Sequence, residues 1–273
     1  ALDAQTTADA NTGVGYAALF ATTTGAGNTA VGASSMIANT TGANNSALGK
    51  DSLGSNTTGA SNVAVGDGAL YANTTANNNV AVGKDALVAN TTGAANVAVG
   101  TSALDANTTA NYNTGVGYAA LTANTTGTNN TAVGAGAMEA SETGNRNTAV
   151  GRATLQASTT GADNVAMGFD ALNDCTTGNE NIAIGSYSLD ALTTTSNIVA
   201  IGHQSCGALT TGGANVAVGS QALASVTDGD SNTAVGHLAL QDSTGSANTA
   251  MGRAALLENT TGGNNTAIGT YTL

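Results

Sequence analysis

Residues 79–95 read NVAVGKDALVANTTGAA, and this seventeen-residue sentence recurs along the whole chain. Its clearest mark is the glycine that closes the first aliphatic run. That glycine falls at Gly15, Gly32, Gly49, Gly66, Gly83, Gly100, Gly117, Gly134, Gly151, Gly168, Gly185, Gly202, Gly219 and Gly236 at a spacing of seventeen, then at Gly252 after sixteen and Gly269 after seventeen. A fixed period of this length marks a repeat architecture, in which one unit cannot bury its own apolar face and must stack on its neighbours. Residues 1–10 already match the second half of a unit, so the sequence predicts a single repeat domain over 1–273.

Counting positions one to seventeen from Asn11, position one is Asn in every copy except at Ile198. Position four is always aliphatic, from Val14 to Ile268, and position nine is Leu or Met except at Cys206. These two columns are the expected core. Position three is Ala or Gly and position eight is Ala, Ser or Thr, small enough for neighbouring backbones to approach closely. The VAV or TAV run at positions two to four is rich in β-branched residues and bounded by Asn and Gly, which reads as a short strand. A second short strand is expected through the Ala-Leu pair. Seventeen residues with an Asn-Thr-Thr-Gly run and no capped apolar stripe cannot hold a useful helix. Glycines at positions five and fifteen are expected to turn the corners with positive φ. The prediction is an all-β, single-chain parallel β-solenoid of about sixteen coils.

Composition narrows the function. Aromatics make up 3% of the chain and there is no Trp or Pro, so the core must be narrow. The net charge is −12, with 17 acidic residues against 5 cations, which argues against nucleic acid or anionic lipid as partner, since both require clustered Lys and Arg. No apolar run approaches the length of a membrane span. The first residue is Ala, compatible both with removal of a secretory signal and with a fragment.

Lys50, Lys84, Arg152, Arg253, His203 and His237 all occupy position six, which marks that column as outward. Asp51, Asp85 and Asp170 follow at position seven, where an exposed ion pair contributes little. The Asn-Thr-Thr-Gly corner stacks identical polar residues coil on coil, and such columns form hydrogen-bonded ladders. The threonines Thr40, Thr41, Thr57, Thr58, Thr91, Thr92, Thr125 and Thr126 are the candidate ligand-facing ladder. Asn39, Asn56, Asn73, Asn90, Asn107, Asn124 and Asn259 also match the N-glycosylation acceptor pattern, although in a repeat this regular a corner motif explains them more simply.

No catalytic, cofactor or metal constellation survives a spacing check. His203 and His237 are two repeats apart in one column, roughly 9.5 Å at stacked-strand spacing, too far to share an ion whose ligands sit at about 2.1 Å. Asp228-Gly229-Asp230 lacks the further ligands of a calcium loop. Cys206 takes a core position and Cys175 a corner position almost two coils away, so no disulfide joins them, and a buried thiol is inert. The sequence predicts neither an enzyme nor a cofactor protein. One repeat, between Leu240 and Gly252, is a residue short, and the loss is expected in the loop because a strand cannot lose one residue without exchanging its faces.

The segments ASNVAVGDGAL at 60–70, AANVAVGTSAL at 94–104 and NENIAIGSYSL at 179–189 resemble the head repeats of YadA-like trimeric autotransporter adhesins, and are similar also to repeats of tail-fibre-like proteins. The likeness covers the whole chain. It implies a left-handed β-roll, a location outside the cell or on its surface (or on a virion), a homotrimer, and attachment to a host surface or glycan. The chain opens at Ala1-Leu2 and closes at Thr272-Leu273 in the same columns with no cap at either end, from which a head-to-tail filament is expected, with lateral trimerisation the alternative. An ice-binding threonine array is the more remote reading.

Overall fold

The computed structural model describes residues 4–272. Each repeat supplies one three-residue strand, from β1 (Thr12–Val14) to β16 (Thr266–Ile268), and the described residues contain no helix. The strands form one parallel sheet in sequence order, so the chain is the expected all-β solenoid. Two compact units divide it, Ala1–Gly136 with the first eight strands and Ala137–Leu273 with the last eight. Both are built from the same coil.

The register carries each column onto itself. Between β5 (Val80–Val82) and β6 (Val97–Val99), Val80 faces Val97, Ala81 faces Ala98 and Val82 faces Val99. The short repeat keeps this register: β14 (Thr233–Val235) pairs Thr233 with Thr249 and Val235 with Met251 on β15 (Thr249–Met251). The missing residue is therefore lost from the loop, as the pleat requires.

The faces of the strand differ from the expectation. Position three points in: Ala30, Ala64, Ala81, Ala98 and Ala132 are fully buried. Position four points out, with Val14 at 56%, Leu48 at 52% and Met251 at 47% exposure. The core is built from the small residue of the strand and the Leu or Met of position nine, which is buried at Leu19, Met36, Leu53, Leu70, Leu87 and Leu104. The reason is width. A Cβ on Gly115, which takes position three in β7 (Thr114–Val116), would already lie 3.4 Å from Leu104 Cγ and 3.5 Å from its Cδ1. Alanine fills that gap, and a valine would not fit it.

Among the described residues no second strand forms. Positions six to eleven are a string of turns. In the coil of Met36, Ser35 N–H donates to Gly32 C=O, Ile37 to Ser34 and Asn39 to Met36, while Ser34, Met36 and Ala38 bond to adjacent coils. Alternate residues of this segment sit in the left-handed region, as Ser34 (φ 56°) and Met36 (φ 49°) do. The Ala-Leu pair could not extend because its backbone groups are divided between turns within the coil and ladders between coils.

The corners hold a different surprise. Position five is left-handed as expected, Gly100 having φ 138°, but no glycine of position fifteen has a positive φ. Its role is close approach: a Cβ on Gly42 would run into Gly59 C=O and the Asn39 amide. The positive φ after the corner belongs to position seventeen, at Asn44, Ser61, Asn78 and Ala95 among others.

Candidate functional site

Three surfaces run along the coils. The first is the outer face of the sheet, made by positions two and four. Position two is Thr, Val, Ile or Ser and position four is Val, Ile, Leu or Met in every repeat, so no charge interrupts it. The side chains are half-buried by their neighbours at Val63, Val80, Val82, Val97 and Val99, and exposed at Val14, Leu48, Val133, Met167, Ile201, Met251 and Ile268.

The second surface is the polar corner. The Asn of position one is buried: Asn45 N–H donates to Asn28 Oδ1 at 3.0 Å, while Asn28 Nδ2 donates to Gly42 C=O at 2.8 Å. The Asn of position twelve forms a parallel ladder in the first unit, where Asn56 Nδ2 donates to Asn39 Oδ1 at 2.8 Å and to Gly59 C=O at 2.9 Å. Asn39, Asn56, Asn73, Asn90, Asn107 and Asn124 are fully buried and serve the corner, while Asn259 is half-buried, its Nδ2 donating to Gly262 C=O at 2.8 Å. In the second unit the same column carries Ser158, Cys175, Leu192, Leu209 and Val226, all buried. There the amide ladder gives way to buried serines, a thiol and aliphatic side chains.

The candidate threonine ladder splits in two. At position thirteen, Thr40 Oγ1 donates to Thr57 C=O and Thr57 Oγ1 to Thr74 C=O, each at 3.0 Å, and Thr91 Oγ1 donates to Thr108 C=O at 3.0 Å. Thr125 lies in the same half-buried column. The hydroxyls of Thr40, Thr57 and Thr91 are occupied by the coil stack. At position fourteen, Thr41, Thr58, Thr92 and Thr126 are exposed.

The third surface is the groove of positions six, seven and ten. The six cationic or imidazole side chains of position six are exposed there, as expected. Lys50 pairs with Asp51 at 2.9 Å and Lys84 with Asp85 at 3.4 Å. Elsewhere, Arg146 makes a two-pronged contact with Asp163 of the next coil at 2.6 and 2.7 Å, and that hydrogen bond holds the Asp163 carboxyl below its usual range. In the second unit an aromatic run crosses four successive coils. Arg152 lies 5.3 Å over the Phe169 ring, Phe169 meets Tyr187 edge-on at 5.3 Å, and Tyr187 meets His203 edge-on at 6.3 Å. The sequence scattered these residues over two columns, and only the coil spacing brings them together.

Downstream of Tyr187 the groove opens into a notch of about 390 Å³, lined by Tyr187, Asp190, Gln204, Gly207, Gln221 and Gln241 together with small residues. Sequence reading missed it. Its signal was two successive small residues, Gly207 and Ala224, in a column whose one other small residue, Gly54, stands alone among larger ones such as Ile37, Tyr71, Glu139 and Gln156.

Both cysteines are free and Cys206 is buried, as expected; the corner Cys175 is buried as well. Burial pushes the Cys206 thiol up to about 12, and burial, opposed by the Gly178 backbone contact, pushes Cys175 up to about 11. Neither thiol has the thiolate character of a nucleophile. His203 and His237 stand exposed, and no cluster of three metal-ligating side chains occurs among the described residues. No helix among the described residues is long and apolar enough to cross a membrane. No protein-family model matches the chain and no curated protein sequence matches it.

Proposed function

We propose that this chain is a structural and adhesive segment of an extracellular fibre that works as a laterally associated homo-oligomer. The observation that carries this reading is the uncharged apolar face of the sheet. Within each unit, position four lines up aliphatic groups along the coils, several of them more than a third exposed, beside a position-two row of Thr, Val, Ile and Ser. Contiguous exposed apolar surface of this kind marks an interaction site.

A second copy is the occupant that fits best. The chain carries a net charge of −12, and this face is where two copies can meet without opposing carboxylates. The coil repeat also matches itself, since the apolar rows of any copy have the spacing of the rows they meet. The likeness to YadA-like head repeats favours the trimer among such assemblies and supports the extracellular setting. The expected head-to-tail contact would involve Ala1-Leu2 and Leu273, which lie outside the described residues. Lateral association requires nothing of them.

Sedimentation equilibrium of the protein and of a Val82→Lys/Val99→Lys variant tests the reading. Both positions face outward, so the variant should retain its circular dichroism and fall to the mass of one chain, while the unaltered protein sediments as a defined oligomer. An unaltered protein that stays monomeric through the high micromolar range, or an oligomer indifferent to the lysines, overturns the proposal.

A further inference from the structure

The notch beside Tyr187 is lined from positions seven, ten and eleven and not from positions two and four of the sheet face. Its origin is local. Side chains of position ten stack on one another coil by coil: Gln156 Nε2 donates to Glu139 Oε2 one coil earlier, and the Tyr71 ring lies 3.0 Å from where a Cβ on Gly54 would be. They also meet position seven, as when Asn173 Nδ2 donates to Asp170 Oδ1 at 3.2 Å. At Gly207 and Ala224 the stack is interrupted for two successive coils. The gap is bounded by Asp190 and Gln241 at its ends and by Tyr187, Gln204 and Gln221 along its side. About 390 Å³ lies in the range of ligand clefts, roughly 300–1,000 Å³.

The lining selects a class of ligand. Lys and Arg are absent from it, and Asp190 supplies a carboxylate, so an anion is excluded. Gln221 Nε2 donates to Gln204 Oε1 at 3.3 Å. This leaves the Gln204 amide N–H₂ as donor and the Gln221 carbonyl as acceptor for a guest, with the Gln241 amide beyond them. Neighbouring groups that donate and accept side by side match vicinal hydroxyls, each of which does both. Tyr187 is 38% exposed, and its ring offers an apolar surface to the C–H groups that such a guest presents between its hydroxyls. Burial, and then the neighbouring Asp174 and Asp170, push the Asp190 carboxyl up.

We infer that this notch is a binding site for a neutral sugar, with Tyr187 as the stacking surface and Asp190, Gln204, Gln221 and Gln241 as the hydroxyl-binding groups. The inference rests on the adhesive part of the proposed function and gives it a ligand class.

The repeat itself supplies variants that fold. Position ten is Gln at Gln156 and Gln241, so Gly207→Gln/Ala224→Gln restores the stack found in other coils. Position seven is Ala at Ala17, Ala119, Ala153 and Ala254, so Tyr187→Ala is equally native to the coil. Saturation-transfer NMR with the methyl glycosides of glucose, galactose, mannose and N-acetylglucosamine, and with methylammonium as the cationic control, reads the site. At least one glycoside should receive transfer on its ring C–H protons. Filling the notch should abolish the transfer, and Tyr187→Ala should weaken the affinity by about threefold to tenfold. Transfer to none of the four glycosides, transfer that survives the filled notch, or response to methylammonium alone would overturn the assignment. The oligomer is measured separately by sedimentation. A notch that binds no sugar on a protein that still assembles defeats only this inference, whereas a monomer that binds sugar defeats the assembly instead.

Discussion

Leu87 holds two opposed conditions at once, a left-handed backbone with φ 52° and a fully buried side chain. The first costs about 1–2 kcal/mol for a residue with a Cβ. The second contributes roughly 1.5–3 kcal/mol, so burial outweighs the strain. The same balance explains why column nine holds Leu, Met and Cys but neither Val nor Ile, since a β-branched side chain is a true outlier at positive φ. Leu87→Ala should lower stability by about 2–5 kcal/mol, because it removes the burial and keeps the strain. Val99→Asp, on the outward face, should change the stability of the isolated chain by less than about 1 kcal/mol. Denaturant midpoints of the two variants check this, and a larger loss at Val99 than at Leu87 would reverse the assignment of the faces.

At the scale of the element, the corner is where the two units part company. Asn90 Nδ2 donates to Asn73 Oδ1 at 3.1 Å and to Gly93 C=O at 2.9 Å, and Asn90 Oδ1 accepts from Asn107. Replacing it alone leaves Asn73 Oδ1 and one N–H of Asn107 short of a partner, at about 1–3 kcal/mol each in the worst case, while Gly93 C=O still accepts from Asn79 Nδ2. In the second unit Leu192, Leu209 and Val226 fill the same column as a consecutive block. Three successive replacements should therefore cost much less than three times one. Asn73→Leu/Asn90→Leu/Asn107→Leu is expected to be destabilised by well under the sum of the single changes, and thermal denaturation of the four proteins reads the coupling. Strict additivity would show that the ladder is not cooperative.

For the whole molecule, charge is the dominant variable after the core. Asp105 and Asp190 titrate above their ordinary 3.8 in the folded chain. Burial is the main cause in both, joined at Asp105 by the charge of Asp85 and opposed there by the Ala106 N–H, and joined at Asp190 by Asp174 and Asp170. A folded value above the unfolded one means that their stabilising contribution is fully present below 3.8 and is lost as pH rises through the folded value. Asp163 behaves in the opposite sense: depressed by Arg146, it stabilises above 3.8 and loses that contribution as pH falls through its folded value. The Tm should therefore rise as pH is lowered through the folded values of Asp105 and Asp190 toward 3.8. Asp105→Asn/Asp190→Asn should raise the Tm at pH 7 and flatten that slope. A Tm that falls over this interval, or a double variant with the slope unchanged, contradicts the account.

The period, the parallel stack, the strand at positions two to four, the outward cations of position six and the buried Leu column all follow from the sequence alone. Each depends only on a residue meeting its own copy one coil away. The left-handed columns were legible too, though not from glycine. Positions seven, nine and seventeen contain no Val, Ile or Thr in any repeat of a Thr-rich chain, because those side chains cannot take the conformation that the coil imposes there. What only the tertiary structure decided is which side of V-A-V faces in. Alternation alone allows the two valines to be core and the alanine surface, and the larger buried area favours that reading. The interior measured across the coil reverses it, since Leu from position nine already fills the space and leaves the strand room for a methyl group. The valines are turned outward by lack of volume, and they form the apolar face on which assembly is proposed. The notch beside Tyr187 has the same kind of origin: it exists because two small residues seventeen apart become neighbours only when the coils stack.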